Sequence, residues 1–571
     1  MRKPRKQVER AKEHPLPLLP DEGIRLHLNE NPFGPPPKVK EALKNFDPET
    51  LSRYPDPTPF REKLARSLGV LPEEVLLTNG ADEAIQTIAN TYLEEGDEVV
   101  IPTPTFITFK KCAELAGAKI IDIPYPSDLS FPKEKLLSAI SKRTKLIVLI
   151  TPDNPMGTVI PEEDIIEIIE RGRGSLIVID ETYHHFAGRS LVPLIRRYDN
   201  LLIIGSFSKA YGLAGARVGY IVSDRKNISL LWRVLLPFTI SAVSLALLSA
   251  AIDDAGYVDF VIRETAKARE FTFSRLDELG IPYHPTKTSF FLMKLGMRAD
   301  MVVSYLRERG IFVRPLEDGL VRISIGRKED MEKFTFVLAE IACPDALIFD
   351  IDGVLIDVSS SYREAIRRTV AEFTGYLPTP EEVQEYKEKG GLNDDWELTK
   401  RMIEDRGVKV SFSEVVSSFN RRYFGEGGEE PLYLKEHLLI PPEVLAKLKK
   451  RFKLGVATGR TRKATELAFS RFGIKDYFDA VITLDETPNG KRKPHPYPVA
   501  KAMSLLGAKR AYYFGDNVDD IKAGISASAH PIGVMPPGIG GKRLRELFRE
   551  AGALLVLDHP RLIPELFPEL K

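Results

Sequence analysis

Apolar and polar positions alternate in blocks along the first 250 residues of this 571-residue chain. The runs VLLT, LIVLI, LIVID and LLIIG are nearly continuous, and turns and amphipathic segments separate them. Such runs, alternating with helices, are typical of a parallel sheet covered on both faces. Ligands of such sheets bind at the carboxyl ends of the strands. The residues that end these runs are therefore site candidates: Asn79, Phe106, Asn154, Asp180 and Ser206 to Lys209.

A different pattern begins after residue 253. One long helical segment to Leu279 precedes the strand-like runs TSFFLMKL, IFVRPL and GLVRISIG and the helical segment MEKFTFVLAEIA. This order predicts a smaller α+β domain beside a large α/β domain. We expect the large domain over residues 27–252 and the small domain over the irregular arm 1–26 together with 253–343.

The apolar run ALIFDIDGVLI, residues 346–356, predicts the first strand of a second unit over 344–571. It delivers Asp350 and Asp352 into a glycine turn, although buried carboxylates are costly unless paired or bound to metal. Residues from about 358 to 440 are polar and helical. The later runs KLGVATGR, DAVITLDE, AYYFGDN and AHPIGV then complete the strands of an α/β sheet that a helical insert interrupts early.

Composition excludes several classes of protein. Lys+Arg and Asp+Glu are both 81, which gives no electrostatic case for a nucleic-acid or membrane partner. Two cysteines exclude a disulfide framework and fit a reducing cytoplasm. The uncharged stretch Val234–Ile252 contains Pro237 and several hydroxyl residues, which favours a buried helix over a membrane span. We therefore expect a cytoplasmic protein with small-molecule partners.

The segment SFSKAYGLAGARVGY, residues 206–220, carries the chemistry of the first half. A lysine amine, Lys209, can form a Schiff base, while hydroxyls, backbone N–H groups and Arg217 hold a phosphate. Asp180 ends a buried strand, where its carboxylate can pair with a protonated pyridine nitrogen. Asn154 and Tyr183 can hydrogen-bond a phenolic oxygen.

This half resembles the fold-type I pyridoxal-phosphate aminotransferases, and within them the histidinol-phosphate aminotransferases. The segments that match, in the family's order, are LNENPFGPP, RYPDPTPFREKLA, TNGADEAI, PTPTF, PDNPMG, VIDETYHHF, SFSKAYGLAGARVGY and VRISIG. The arm departs from the family because it has no aromatic residue before Phe33, where relatives place a tyrosine over the substrate. Aromatic or other substrates, or a phosphothreonine decarboxylase of the same fold, therefore remain alternatives.

The resemblance implies a role for each matching residue. Lys209 would be the Schiff-base lysine and would move the substrate proton, and Arg322 and Arg314 would bind the anionic groups of the substrates. Tyr54 would reach the phosphate of the neighbouring subunit, which implies a homodimer. The remaining residues implied to bind pyridoxal 5′-phosphate are Ala81, Asp82, Phe106, Asn154, Asp180, Tyr183, Ser206, Ser208 and Arg217.

The second half carries a constellation for phosphoryl transfer. Asp350 would attack phosphorus, and Asp352 would protonate the leaving oxygen and later activate water. A DxD pair alone also fits a calcium loop or a solvated turn. Thr458 in VATGR can donate to phosphate, Lys493 in KPHPYP offsets negative charge, and FGDNVDDIKAG supplies hard oxygen ligands for Mg²⁺. The predicted metal ligands are Asp350, Asp352, Asp516 and Asp520.

These four motifs, in this order, resemble the haloacid-dehalogenase-superfamily phosphatases. The resemblance implies a Rossmann-like core, with the helical insert at about 358–440 as a C1-type cap over the site. The whole chain is then interpreted as a bifunctional enzyme of histidine biosynthesis that makes histidinol phosphate and removes its phosphate. A phosphatase of phosphoglycolate or sugar phosphates, or one catalytically inactive half, are the alternatives.

Overall fold

The computed structural model describes residues 3–13, 19–388, 394–537 and 541–567. They form two compact units, one of residues up to 294 with 306–335, and one of 295–305 with 336 onward. The second unit thus takes in 295–305 and 336–343, which the sequence pattern assigns to the small domain. The boundary at 343 stays a prediction.

Twelve strands of the first unit form two sheets. The seven-stranded sheet has the order β2-β8-β7-β6-β5-β3-β4, and the five-stranded sheet has the order β1-β11-β12-β10-β9. The strands are β1 Ile24–Leu26, β2 Val75–Thr78, β3 Glu98–Thr103, β4 Lys119–Pro124, β5 Thr144–Ile150, β6 Leu176–Asp180, β7 Leu201–Ser206, β8 Gly219–Ser223, β9 Tyr283–His284, β10 Phe290–Lys294, β11 Ile311–Pro315 and β12 Leu320–Ser324.

The large sheet is parallel as predicted except at β8, which runs antiparallel to both of its neighbours, β2 and β7. Both faces are buried, because alternate residues of one strand enter different apolar clusters. Ile147 and Leu149 of β5 belong to the cluster on one face, and Leu146, Val148 and Ile150 to the cluster on the other. This double burial explains the continuous apolar runs.

Helices cover these faces and complete the small domain. Those of the first unit are α1 Lys6–Arg10, α2 Pro37–Lys44, α3 Thr58–Leu68, α4 Gly80–Tyr92, α5 Ile107–Ala116, α6 Lys133–Ala139, α7 Glu162–Arg171, α8 His184–Ala187, α9 Arg225–Trp232, α10 Ala242–Ile252 and α11 Ala255–Leu279. Two further helices, α12 Ala299–Glu308 and α13 Lys328–Ala342, have residues in both units. The described part of the predicted irregular arm contains α1 and β1.

The prediction of one buried helix over Val234–Ile252 is wrong. Only α10 is helical, and it begins after Ser241, whose side chain accepts a hydrogen bond from the Ser244 amide. Pro237 lacks an amide proton and disfavours a helix at the residue before it. Leu236 and Phe238 lie exposed on the surface instead. Among the described helices, none is both long and apolar enough to cross a membrane.

The second unit is built on a six-stranded sheet with the order β17-β16-β13-β18-β19-β20, in which all neighbours are parallel. A separate antiparallel pair joins β14 to β15. The strands are β13 Ala346–Phe349, β14 Ile356–Asp357, β15 His437–Leu438, β16 Lys453–Ala457, β17 Ala480–Ile482, β18 Ala511–Gly515, β19 His530–Val534 and β20 Leu555–Leu557. The strand β20 was not predicted.

The helical insert lies between β14 and β15, as the pattern predicts. Its helices enclose an apolar cluster of their own, which includes Ile366, Leu398, Met402 and Phe419. We call the residues from α14 to β15 the cap. The helices of this unit are α14 Tyr362–Thr374, α15 Pro380–Glu388, α16 Asp395–Glu404, α17 Phe412–Phe424, α18 Pro442–Lys449, α19 Arg462–Phe472, α20 Tyr497–Leu506, α21 Val518–Ser526 and α22 Lys542–Glu550.

Candidate active sites

One cavity of the first unit lies at the carboxyl ends of β5, β6 and β7. Apart from Tyr54, the residues predicted to bind a cofactor all line it, together with Lys209. Asn79 is exposed, and its amide donates to Glu83 at 2.6 Å. The lining residues that the sequence predicted are Ala81, Asp82, Phe106, Asn154, Asp180, Tyr183, Ser206, Ser208, Lys209 and Arg217.

Lys209 and Asp180 lie at neighbouring strand ends in this cavity. The Lys209 Nζ donates to the carbonyl oxygen of Leu28 at 3.1 Å and lies 5.8 Å from the centre of the Tyr183 ring. The Asp180 carboxylate accepts from the Thr182 amide at 2.9 Å. Burial raises the pKa of Asp180, which the charge of Lys209 only partly offsets. A cationic partner for Asp180 would therefore be stabilising.

An anion site lies at the other end of the cavity, where α4 begins with Gly80, Ala81 and Asp82. Helix N-termini present free N–H groups to anions. Arg217 has a left-handed backbone with φ of 53° and donates to the Asp82 carboxylate at 2.8 Å. A side chain on Gly80 would collide with the guanidinium, since its Cβ would lie 2.5 Å from Arg217 Nη2. Ser206 Oγ accepts from the Ser208 amide at 3.2 Å.

Tyr183 and Asn154 connect this cavity to the segment after β1 and to the small sheet. The Tyr183 hydroxyl accepts from Asn29 Nδ2 at 2.9 Å, and Asn29 Oδ1 accepts from Ser324 Oγ at 2.8 Å. Asn154 Oδ1 accepts from Arg322 at 2.6 Å. Asn29 was not among the predicted site residues, and its only signal was its place in the matching segment LNENPFGPP.

Arg322 is a buried cation on β12. It donates to the carbonyl oxygen of His27 at 2.7 Å, and burial lowers its pKa to about 10. Within the described part of the chain, its buried Nε has no hydrogen-bond partner. Arg314 lies directly opposite Arg322 in the register of β11 and β12. Two neighbouring guanidinium groups, one with a spare donor, fit anionic substrate groups.

The donor set of the cavity fits a planar cofactor with a basic ring nitrogen and a phosphate. An amine, a buried carboxylate and an anion site lie around one space. The buried Thr182 Oγ1 has no hydrogen-bond partner among the described residues. Tyr54 is 81% exposed and stacks on Phe238 with ring centres 4.5 Å apart, outside this cavity.

The second site lies at the carboxyl ends of β13, β16 and β18. The predicted residues Asp350, Asp352, Thr458, Lys493 and Asp516 line one pocket. The turn after β13 requires glycine, because Gly353 has φ of 71° and its Cβ would lie 2.1 Å from Asp516 Oδ2. The turn after β13 and the turn after β18 therefore lie close together, and this brings their carboxylates together.

Three carboxylates form a cluster that could hold a metal ion. One oxygen each of Asp350, Asp516 and Asp520 lies within 4.8 Å of the others. Burial raises the pKa of Asp350 to about 8 and that of Asp516 to about 7, and the neighbouring aspartates add to both shifts. Crowded carboxylate oxygens are the preferred ligands of Mg²⁺. The donor set therefore fits a divalent cation.

Asp520 and Lys493 form the buried floor of this cluster. The Lys493 Nζ lies 2.6 Å from Asp520 Oδ1 and 3.1 Å from Asp350 Oδ1. Burial opposes the charge of Lys493, yet Asp350 and Asp520 raise its pKa well above the usual value. Tyr513 donates to Asp520 Oδ1 at 2.9 Å, and the Asn517 amide donates to Oδ2 at 3.1 Å. Asp520 thus also fixes the position of Lys493.

Asp352 lines the same pocket, but the cluster found among the described residues does not include it. Its Oδ1 accepts from Arg460 Nε at 2.7 Å. Its role as a metal ligand stays a prediction, and its described side-chain hydrogen bond is to a buried arginine. Arg460 was not predicted as a site residue; its only signal was the final position of VATGR.

Comparisons with known proteins match two families along the chain. The family model for class I and II aminotransferases matches residues 21–337, and the model for haloacid dehalogenase-like hydrolases matches residues 347–534. A histidinol-phosphate aminotransferase of Bacillus cytotoxicus is 33% identical over 59% of this chain and 93% of its own length. One from Methanocaldococcus jannaschii is 34% identical over 57% of this chain and 90% of its own length.

A solved structure is similar over the same half. The histidinol-phosphate aminotransferase of Sinorhizobium meliloti, in complex with pyridoxal 5′-phosphate, has a TM-score of 0.53 and 29% identity, covering 56% of this chain and 90% of its own. The fold prediction is confirmed for both halves. The chain therefore belongs to the class I and II aminotransferases and carries a haloacid dehalogenase-like hydrolase domain after its aminotransferase domain.

Proposed function

We propose that this protein is a bifunctional enzyme of histidine biosynthesis. Its first site transfers an amino group from glutamate to imidazole-acetol phosphate, and its second site hydrolyses the product, L-histidinol phosphate. The observation that carries this proposal is that one chain has two sites. One is a cavity with a lysine and groups that can bind a phosphate, and the other is a pocket whose aspartates can attack a phosphate ester. Similarity to histidinol-phosphate aminotransferases supports the choice of substrate.

Pyridoxal 5′-phosphate is the proposed cofactor of the first site. Asp180 would face the ring nitrogen, Phe106 the ring, and Asn154 and Tyr183 the ring hydroxyl. The residues that would hold the phosphate are Ala81, Asp82, Ser206, Ser208 and Arg217. When bound, this cofactor supplies an electron sink for the carbon–hydrogen bond broken beside the amino group.

The chain's own groups position and protonate the substrate. The Lys209 amine lines the cavity and would move the proton between the substrate's α-carbon and the bound cofactor. Arg322 binds the carboxylate of glutamate through its spare Nε donor, and Arg314 binds the anionic end of the second substrate. The Asn29–Tyr183 hydrogen bond holds the phenol in place.

We further propose that the aminotransferase domain forms a homodimer. Tyr54 is exposed and does not line the cavity of its own subunit. In a dimer it would reach the cofactor phosphate of the neighbouring subunit. Large apolar side chains lie exposed around it, including Leu51, Leu236 and Phe238. Exposed apolar surfaces of this kind mark contacts between proteins.

The second site hydrolyses a phosphate monoester in two steps. Asp350 attacks phosphorus, and the leaving oxygen takes a proton from Asp352 as its bond to phosphorus breaks. Water then attacks the phosphorylated Asp350, gives a proton to Asp352 and releases inorganic phosphate. Thr458 and Lys493 bind the phosphate oxygens. Bound Mg²⁺ at Asp350 and Asp516 would neutralise the crowded negative charge.

Two variants test this proposal. Imidazole-acetol phosphate and glutamate are supplied with pyridoxal 5′-phosphate and Mg²⁺, and 2-oxoglutarate and inorganic phosphate are followed. Lys209→Ala should abolish 2-oxoglutarate formation, while added histidinol phosphate is still hydrolysed. Asp350→Asn should abolish phosphate release alone. If Asp350→Asn still releases phosphate from histidinol phosphate, the bifunctional proposal is wrong.

A further inference from the structure

One buried arginine contacts the acid–base residue of the phosphatase pocket. Arg460 follows β16, and its side chain is 0% exposed. Its Nε and Nη2 both lie 2.7 Å from Asp352 Oδ1. On the other side, Nη2 donates to Glu436 Oε1 at 3.0 Å and Nη1 to Oε2 at 3.3 Å. The guanidinium therefore joins Asp352 to a second carboxylate.

Glu436 anchors this arginine to the base of the cap. It precedes β15, is 1% exposed, and accepts hydrogen bonds from Tyr423 and Ser361, both at 3.0 Å. Ser361 lies just before α14, the first cap helix, and Tyr423 lies at the end of α17. The Tyr362 ring packs 4.8 Å from the guanidinium carbon. Both ends of the cap thus contact the group that holds Asp352.

Burial makes this arrangement rigid. Removing one partner of a buried ion pair is strongly destabilising, because it leaves an unpaired charge. Arginine also presents its donors in a fixed planar fork, which a lysine ammonium lacks. Glu436 holds one side of that fork, so the side facing Asp352 has a defined direction. Asp352 itself remains 21% exposed to the pocket.

We propose that Arg460 is a positioning residue for Asp352, held in place by Glu436 and connected through it to the base of the cap. It aims the Asp352 carboxyl at the oxygen that leaves phosphorus and at the water that attacks later. This inference rests on the proposed phosphatase function. The arginine exchanges no proton: the proton passes from Asp352 to the leaving oxygen, and the water's proton returns to Asp352.

Esters that differ in their need for an acid test this role. An alkyl ester such as histidinol phosphate needs a proton on its leaving oxygen, whereas p-nitrophenolate leaves without one. With Mg²⁺-loaded full-length enzyme, Arg460→Lys should lower kcat for histidinol phosphate about 100-fold with little change in KM. The first-turnover burst of p-nitrophenolate should stay within about threefold of the wild type. If the enzyme hydrolyses phosphoglycolate but not histidinol phosphate, phosphoglycolate serves as the alkyl ester in this comparison.

Matched variants separate positioning from general stability. Glu436→Gln and Tyr423→Phe preserve shape and should reproduce the same selective loss more weakly. Arg471 donates to the carbonyl of Glu436 at 3.2 Å and is therefore no neutral control. Arg368 on α14 is exposed and donates to Glu364 of the same helix at 2.7 Å, so Arg368→Lys should change neither ester. Combining Arg460→Lys with Asp352→Asn should cost no more than Asp352→Asn alone, because the two act as one unit.

Three outcomes would overturn this inference: equal losses on both esters, no loss on either, or additive losses in the double variant. If Arg460→Lys fails to fold, Glu436→Gln and Tyr423→Phe test the inference instead. The measured quantity is again the loss of activity on the alkyl ester divided by the loss on the p-nitrophenyl ester. Failure of the underlying function is recognised separately. In that case Asp350→Asn would leave phosphate release intact, whatever the Arg460 variants do.

Discussion

The cavity of the aminotransferase domain and the pocket of the hydrolase domain differ in how buried charges are paired. In the cavity, Arg217 is paired with Asp82, and Arg322 donates to Asn154 and a backbone carbonyl. In the pocket, two of the three clustered carboxylates, Asp350 and Asp520, pair with the buried ammonium of Lys493. The cavity thus leaves one buried carboxylate, Asp180, that favours an added cation, whereas the pocket holds a whole cluster of carboxylates that does.

The two sites also draw on different parts of the fold. The cavity combines strand ends of the large sheet with Leu28 and Asn29, which follow β1, and with Arg322 from the small sheet. The aspartates, the threonine and the lysine of the pocket all lie at the carboxyl end of one sheet. Changes in one site should therefore leave the other reaction intact, which the following predictions use.

The largest effect is expected at the nucleophile. Asp350→Asn should lower phosphate release from histidinol phosphate by at least about 1000-fold, because no other group forms the covalent bond to phosphorus. Transamination should remain within about twofold of the wild type. The exposed Asp476→Asn is the control and should change neither rate. Comparable losses in both reactions would contradict the separation of the sites.

A smaller loss is expected at the buried carboxylate of the cavity. Asp180→Asn removes the counter-charge for the ring nitrogen and should lower the transamination rate about 100- to 1000-fold. The visible absorption of bound cofactor should weaken at the same time. Phosphate release by the same variant is the internal control. Normal transamination by Asp180→Asn would show that this carboxylate does not face the cofactor.

A tenfold effect is expected at the exposed tyrosine. Tyr54→Phe keeps the stacking on Phe238 but removes the hydroxyl, so cofactor affinity should fall about tenfold through loss of one hydrogen bond to a charged group. The measurement is a titration of the apoenzyme with pyridoxal 5′-phosphate, alongside the molecular mass in solution. A monomer with unchanged affinity would refute the shared site.

The smallest effect sharpens the comparison of charge. Asp516→Asn removes one crowded carboxylate, so without metal it should raise the free energy of unfolding of the second unit by about 1 kcal/mol. With Mg²⁺ the order should reverse, because the wild type gains more from binding the ion. Thermal unfolding with EDTA and with Mg²⁺ measures both. A variant less stable than the wild type in EDTA would contradict a cluster that lacks a cation.

Local patterns predicted the fold and most site residues because both depend on short segments. Each apolar run is a strand, and its last residues lie at the carboxyl end of the sheet. The positions of Asp180, Lys209 and Asp350 could therefore be predicted from the strands that precede them. The predicted helix over Val234–Ile252 was wrong in its first part, because apolar residues there face outward and composition does not reveal which face is buried. The direction of β8 depends on strand pairing, which hydrophobicity does not encode.

Contacts between distant segments were the part that could not be predicted. Arg460 and Glu436 are 24 residues apart and meet only because the cap folds back on β14 and β15. Asn29 and Tyr183 are 154 residues apart. A lone arginine, glutamate or asparagine gives no periodic signal, and its role appears only when tertiary packing supplies the partner.

The time course of the complete reaction tests the central claim most directly. Wild-type enzyme receives imidazole-acetol phosphate and glutamate, with pyridoxal 5′-phosphate and Mg²⁺, and both products are measured. The account predicts one inorganic phosphate for each 2-oxoglutarate at completion, with phosphate formation abolished by EDTA. Full 2-oxoglutarate formation with histidinol phosphate left intact in the presence of Mg²⁺ would contradict it.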